Sequence, residues 1–389
     1  MASELLVAGG GIAGLACAVA AREARWEVRL FEQAGGFAEV GAGLQLGPNA
    51  TRILRDWGVL DSPRLQPFAP ERLAVRDAVD GRVLGTLRLG EAAAAKYGAP
   101  YLTVHRADLH AALLEAAQAR GAQLRTGIRV GGIASDAEVV RARLDGGAPV
   151  EADAAAVCDG VWSRLRASLL DDGPAPPTGH VAYRALLPMA SVPPALRAPE
   201  VQAWLGPHMH LVRYPVRGGD ALNIVAFTQG RSGEGWDHAA QAAPLREIAR
   251  SLCRELQALV DLVETWRLWP VHDREPVRGP SAMARGRVAL VGDAAHPMRP
   301  YLAQGAGMAI EDACELKKAL AACTERVLDV ETAIQRYALG RWQRCARVQA
   351  RSRRNGWIFH ASGPLRWARN AAMRVGGEGL LDLPWLYGG

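Results

Sequence analysis

Three groups of residues in this chain carry the types and spacings that chemistry needs. Gly9, Gly11 and Gly14 stand as Gly-x-Gly-x-x-Gly between an apolar run, Leu5 to Ala8, and an alanine-rich stretch reaching about Arg25. Glu32 follows at the end of a second apolar run, Val28 to Phe31. Glycines between a strand and a helix make a tight turn and let a pyrophosphate reach the backbone, while an acid after the next strand accepts from ribose hydroxyls. The pattern fits FAD and NAD equally. In the second group Gly292-Asp293 ends the apolar run Val288 to Val291, and Gly305-Ala306-Gly307 opens a segment in which Ala306, Ala309, Ile310, Ala313, Leu316 and Leu320 recur every three or four residues. That spacing predicts a helix whose free amides and positive end face Asp293, a place for something flat and electron-rich; an ordinary strand-helix unit is an equal reading. The third group is Gly206 to Pro215, read as a strand that sets His208, His210, Val212 and Tyr214 on one face. His-x-His suits a metal, but no further ligands are placed with it, so no metal is expected. On the residues alone a structural hydrogen-bonding histidine is favoured over a base, although imidazole is the side chain that titrates near neutrality.

These groups need a scaffold, and the chain's 389 residues are enough for a large core and two structural domains. No apolar run approaches the ~20 residues of a membrane span, and the opening Met-Ala-Ser-Glu runs straight into a strand, so the expectation is a cytoplasmic protein without membrane attachment. Six cysteines without a Cys-x-x-Cys pair argue against zinc ribbons, iron–sulfur clusters and a redox disulfide. Net charge is +6, and every basic residue except Lys96, Lys317 and Lys318 is arginine. Interleaved aromatics are missing, so no nucleic-acid partner is expected; the positive field favours carboxylates and nicotinamide nucleotides.

The coarse reading is α/β. The Gly41 to Asn49 loop leads into a helix from Ala50 to Trp57. Arg72 to Leu89 reads as a hairpin around Asp80-Gly81. Thr103 to Leu109 opens a helix to about Arg120 that sets Arg106 near its start, suited to a phosphate or a surface ion pair, and Leu124 to Val130 returns as a strand. His105 and His110 share no helix face. Ala154 to Val157 leads into Cys158-Asp159-Gly160 and a basic helix start through Arg164. The region from Gly179 to Trp269 is strand-rich, with segments Val181 to Leu186, Val201 to Trp204, His210 to Tyr214 and Ala221 to Phe227. After Glu331 the chain is helical, with a tail from Asn370 to Tyr387. The expected organisation is a discontinuous nucleotide domain (1–70, 100–175, 272–330), an inserted sheet-rich substrate domain (71–99, 176–271) and a C-terminal helical segment (331–389).

Taken together, Gly9 to Gly14, Asp159-Gly160 and Gly292-Asp293, with Pro300 to Gly305, Ser352 to Asn355 and Trp385 to Gly388, resemble the single-component FAD-dependent aromatic hydroxylases, in the branch of salicylate hydroxylase and 3-hydroxybenzoate 6-hydroxylase. The resemblance covers nearly the whole chain and implies a Rossmann-like FAD-binding domain with an inserted sheet-rich domain. It implies non-covalent FAD, with Gly9, Gly11, Ala13 and Gly14 cradling the pyrophosphate and Glu32 holding the ribose. Arg106 would touch the phosphate and ribityl region, Asp293 the ribityl chain, and the amides of Gly305, Ala306 and Gly307 the flavin's pyrimidine edge. Asp159 and Arg164 would serve FAD and the nicotinamide cosubstrate, which visits because no second glycine fingerprint exists. Cys158 departs from the small alanine or glycine usual there. His210 and Tyr214 match a His-x-x-x-Tyr pair over the flavin, Gln304 matches a substrate-side glutamine, and His296 is left as structural. The implied reaction hydroxylates a phenolic aromatic acid with NADH or NADPH and O2 through a flavin C4a-hydroperoxide, in a monomer or homodimer. An N-heteroaromatic acid such as 6-hydroxynicotinate, or a flavin-binding sensor without turnover, are the alternatives.

Overall fold

The computed structural model describes residues 3–37, 42–230, 238–240 and 242–388. Gly41, at the head of the expected glycine-rich loop, lies outside the described residues.

The short apolar runs do what continuous burial on both faces requires and form one sheet, in the order Ala284–Arg285, Val288–Leu290, Ala154–Val157, Glu4–Ala8, Glu27–Phe31, Gln123–Arg125. All neighbours are parallel except the Ala284–Arg285 edge strand. The helices Ile12–Glu23 and Gly305–Thr324 pack together over this sheet and share its core. Their approach is close at Gly292, where φ is +62° and a Cβ would stand 3.0 Å from the Ala13 Cβ and 3.2 Å from that of Ala309. Only glycine turns the chain there without a clash.

The second sheet has eight strands, in the order His238–Ala240, Trp266–His272, Pro177–Pro188, Ala221–Gln229, Met209–Val216, Val201–Gly206, Arg72–Asp77, Val83–Arg88. Its strands pair antiparallel except for Val201–Gly206 with Arg72–Asp77, which are parallel. One face buries Trp204, Leu211, Ile224 and Trp266 against Leu245, Leu256 and Leu259. The other face turns towards the first sheet, and the strand Gly43–Leu46 crosses to it, with the Gly43 N–H donating to Asn223 Oδ1 at 2.7 Å.

Two expectations change. His208 is not on the strand: Met209–Val216 begins after it, and His208, with φ +59°, lies in the hairpin turn that pairs Gly206 with Met209. Leu124 to Val130 is not one strand, because the chain turns at Gly127 (φ +70°) between Gln123–Arg125 and Val130–Ser135. The tail from Asn370 lies within the helices Gly363–Leu381 and Pro384–Tyr387, and Asp77 on the second sheet holds it by accepting from Arg366 at 2.7 Å and also from Asn370. No helix among the described residues is long and apolar enough to cross a membrane.

Asp312 joins the layers. Fully buried, its carboxylate accepts from the Gly292 N–H at 3.0 Å, His296 Nε2 at 2.6 Å and Arg341 Nε at 2.7 Å. Burial alone would raise its pKa; His296 and Arg341 outweigh burial and lower it to about 2. Replacing Asp312 by alanine strands these donors, which should cost roughly 3 to 5 kcal/mol of unfolding free energy, measured by urea titration. Because the folded pKa is depressed, the contribution is complete above pH ~4 and disappears as pH falls through about 2. A variant that matched the parent at pH 7 would deny the network this role.

Candidate active site

A groove runs between the two sheets as two adjoining cavities that share Gly11, Arg106, Cys158, Gly160, Val161, Trp162 and Trp269 in their walls. The larger, about 650 Å³, lies over the glycine turn and reaches Glu32, His110, Asp159 and Arg164. Gly14 makes the turn possible: a Cβ there would stand 1.9 Å from the Gly9 carbonyl oxygen. Glu32 accepts from the Gly10 and Ala34 amides, each at 2.7 Å, and His110 Nε2 lies 2.7 Å from the Gly10 carbonyl, so this nitrogen carries the proton. Asp159 is largely enclosed; its Oδ1 is buried with no hydrogen-bond partner, and burial raises its pKa. An orphaned acceptor beside a glycine cradle awaits a donor.

The second cavity, about 290 Å³, runs from Gly11 and Ala13 past Arg106 and Asp293 to the open face of the eight-stranded sheet. Asp293 projects into it at the end of strand Val288–Leu290, wetted by the cavity yet ringed by protein. That enclosure pushes its pKa up, against the charges of His296 and Arg106. Its Oδ1 lies 4.0 Å from where a Cβ on Gly305 would project, in front of the first turn of helix Gly305–Thr324, whose amides have no partner within the helix. Gly305 and Ala306 line the cavity, and Gly307 lies one residue deeper, buried.

The sheet contributes an apolar wall, with Ala182, Val212, Val225 and Phe227, and the polar groups Tyr214, Arg184 and His272. Burial raises the Tyr214 phenol, while nearby Arg184 and a hydrogen bond to Gln45 oppose the rise. His210 lies on the same sheet face as Tyr214 but beyond Phe227, on which it stacks at 4.6 Å, and under the edge of Tyr301 at 4.8 Å. Its Nδ1 is 2.8 Å from Nε2 of His360, at the end of helix Val330–Phe359. Gln304 faces away from the cavity: Ala303 and Gly305 form the wall on either side, and Gln304 Oε1 accepts from Asn49 Nδ2 at 3.0 Å. The structure therefore brings Tyr214, Arg106, Asp293 and the helix amides together, leaves His210 one step further along the sheet, and turns Gln304 aside.

Sequence reasoning missed two residues. His360 is 150 positions from His210, and no local pattern joins them. Arg184 was hidden among many arginines; its signal was an arginine at an inward position of a mostly apolar strand. His296, Asp312 and Cys345 form a compact cluster of metal-ligating side chains among the described residues. With Arg341 already 2.7 Å from Asp312, its positive charge is supplied by protein.

Burial, then the neighbouring His360 and His180, push the His210 pKa well below its ordinary value, and burial with His180 and His208 takes His360 to about 3. With both pKa values depressed, the two rings should be neutral at pH 5 to 8, one donating across the hydrogen bond and the other accepting. Nitrogen-15 NMR of the imidazoles should show a single tautomer for each ring down to pH 5; a protonated ring at pH 6 would contradict the geometry. Since both folded pKa values are depressed, these histidines remove stability as pH falls below ~6.5.

Residues 2–350 match the family model described as FAD binding domain. The chain is 37% identical over 388 residues to a 3-hydroxybenzoate 6-hydroxylase of Polaromonas naphthalenivorans, covering 99% of this chain and 95% of that one. It is 38% identical over 387 residues to a 3-hydroxybenzoate 6-hydroxylase of Klebsiella oxytoca, covering 98% and 96%. Among solved structures it is similar to a salicylate hydroxylase substrate complex, with a TM-score of 0.82 at 26% identity over 99% of this chain and 95% of that chain.

Proposed function

This chain belongs to the FAD binding domain family, and from that premise we propose that it is a monooxygenase using NAD(P)H and O2 to hydroxylate a phenolic aromatic acid such as 3-hydroxybenzoate or salicylate. The observation that carries the reading is the continuous groove from the glycine cradle, past Asp293 and a helix N-terminus, to an apolar sheet face with Tyr214 and Arg184. FAD, the cofactor, supplies the redox and oxygen chemistry when bound.

The residues suit it. The turn Gly9 to Gly14, with Ala13, leaves room for a pyrophosphate, Glu32 ends the strand beside it, and the orphaned Asp159 Oδ1 meets a donor once the groove is filled. Arg106 serves the phosphate and ribityl region and Asp293 the ribityl chain, while the Gly305, Ala306 and Gly307 amides stabilise negative charge on the flavin's pyrimidine edge. The apolar wall excludes water from the ring being hydroxylated, and Tyr214 orients that ring. His210 takes the phenolic proton at Nε2 and passes its Nδ1 proton to His360 Nε2, and His360 releases a proton towards the surface. A phenolate offers the ring electron density that a phenol lacks. Gln304 orients the ring only if it leaves Asn49. The enzyme is read as cytoplasmic, a monomer or homodimer, with the nicotinamide cosubstrate visiting.

A panel of aromatic acids scored for NADH and NADPH oxidation and for hydroxylated product by mass spectrometry tests the proposal. Yellow protein that oxidises NADH without any acid-dependent product would support a flavin-binding sensor instead. Arg106→Ala and Asp293→Ala should each weaken FAD affinity about tenfold to hundredfold in titrations of apoprotein, the loss of a charge-assisted contact. Two correctly folded variants with parental FAD affinity would misplace the flavin.

His210→Ala should lower hydroxylation by about 10² to 10⁴ while FAD binding survives, with NADH oxidation continuing uncoupled and releasing hydrogen peroxide. His360→Ala should shift the pH dependence of coupling more than its maximum, because the relay loses its exit and not its acceptor. Unchanged rate, coupling and pH profile in both variants would reduce the pair to a structural contact.

A further inference from the structure

Arg184 sits in the middle of strand Pro177–Pro188, between Val225 on one neighbouring strand and Arg267 on the other, and points into the second cavity. Its guanidinium carbon lies 4.0 Å from the centre of the Trp269 ring, and Ala182, Val212, Val225 and Phe227 form the wall around it. Its Nε is buried without a hydrogen-bond partner, and among the described residues no carboxylate pairs with it. The fully buried arginines are engaged: Arg166 with Asp172 and the Ala294 carbonyl, Arg213 with Gln202, Arg341 with Glu311 and Asp312, Arg369 with Asn370 and the Phe359 carbonyl. Arg184 is half-buried; Arg76, Arg274 and Arg351 also have an Nε without a partner, but of these four only Arg184 faces the groove.

Its electrostatic surroundings sharpen the contrast. Burial, with Arg106 nearby, lowers its pKa to about 10, which still leaves it charged at neutral pH. A cation held against an apolar wall and beside a second cation is costly unless an anion joins it. A planar guanidinium presents paired donors that match the two oxygens of a carboxylate, and the indole beneath holds that plane in place.

We propose that Arg184 is the specificity-determining residue of this cavity and binds the carboxylate of the aromatic acid substrate, with the ring lying along the apolar wall towards Val212 and Phe227. The inference rests on the aromatic-acid reading above and adds to it the group that selects acids over neutral phenols. Tyr214, on the same wall, bounds the ring from the side, so the carboxylate and the phenol are read by different groups: Arg184 for the first, His210 for the second.

The test uses the FAD-loaded protein. 3-Hydroxybenzoate, salicylate and their amides, 3-hydroxybenzamide and salicylamide, are titrated while the absorbance of the oxidised flavin is followed, a readout independent of turnover. The parent should bind at least one acid about tenfold to hundredfold more tightly than its amide, the range a charge-assisted hydrogen bond supplies. Arg184→Gln should abolish that preference without weakening the amide, and Arg184→Lys should keep part of it, since charge remains while the fork is lost. FAD affinity, measured on apoprotein, should be unchanged in both variants. Retained acid preference in Arg184→Gln overturns the inference and leaves the hydroxylase reading standing. Equal losses of FAD and acid affinity overturn it in favour of a flavin contact. A parent that binds neither acid overturns both.

Discussion

The buried Asp312 carboxylate is the constraint on which the site depends. A charge deep in the core is tolerated only when donors surround it, and here they come from three places: the Gly292 amide, the His296 ring and the Arg341 guanidinium. Each belongs to a different structural element. Gly292 begins the turn that presents Asp293, His296 anchors the loop leading to Pro300, and Arg341 lies on the long helix Val330–Phe359. His296 stays protonated because, although burial opposes its charge, the Cys345 sulfur and the Asp312 carboxylate outweigh burial. One carboxylate thus fixes the angle at which strand, loop and helix meet, and with it the distance between Asp293 and the first turn of helix Gly305–Thr324.

The same network extends to the cavity floor. Glu311, next to Asp312, accepts from Arg341 and Arg344 and from Asn49, and Asn49 in turn donates to Gln304. Gln304 is therefore committed to packing at the head of the helix, which explains why Ala303 and Gly305 carry the wall past it. The groove is open where the network ends, and in its walls Asp159 Oδ1 and Arg184 Nε both lack partners. Among buried polar groups, orphans of opposite charge at two ends of one groove mark where a ligand supplies the missing contacts.

How much of this was legible in the sequence follows from which contacts are local. The glycine turn, Glu32, the Gly292-Asp293 turn and the helix start at Gly305 are set by neighbours within a few residues, so spacing and residue type revealed them. The Asp80-Gly81 hairpin was legible for the same reason. His208 was misjudged because strand alternation was extended through Pro207, where the chain turns instead. The C-terminal segment from Glu331 was read as helical, but what its tail docks on was not legible, because Asp77 lies nearly 300 residues away. Gln304 pointed the wrong way for a related reason: its partner, Asn49, lies on another helix. Residue type told what each side chain could do, while its direction was decided by contacts that only the folded chain makes.

The arrangement of histidines and arginines on the eight-stranded sheet then has a physical logic. Along one face, Arg184 and His210 stand on different strands with the apolar side chains of Val225 and Phe227 between them. The arginine keeps its charge despite burial, because even a pKa near 10 leaves it protonated at neutral pH. The histidine loses its charge under the same burial, because its ordinary pKa starts close to neutrality and moves down. One desolvated sheet face therefore offers a fixed cation at one point and a neutral proton acceptor at another. A phenolic acid has the complementary pair, an anion and a weakly acidic hydroxyl, on a flat apolar ring. Desolvation sets both properties at once, so in the proposed reading the wall that excludes water also sorts the two polar ends of the substrate.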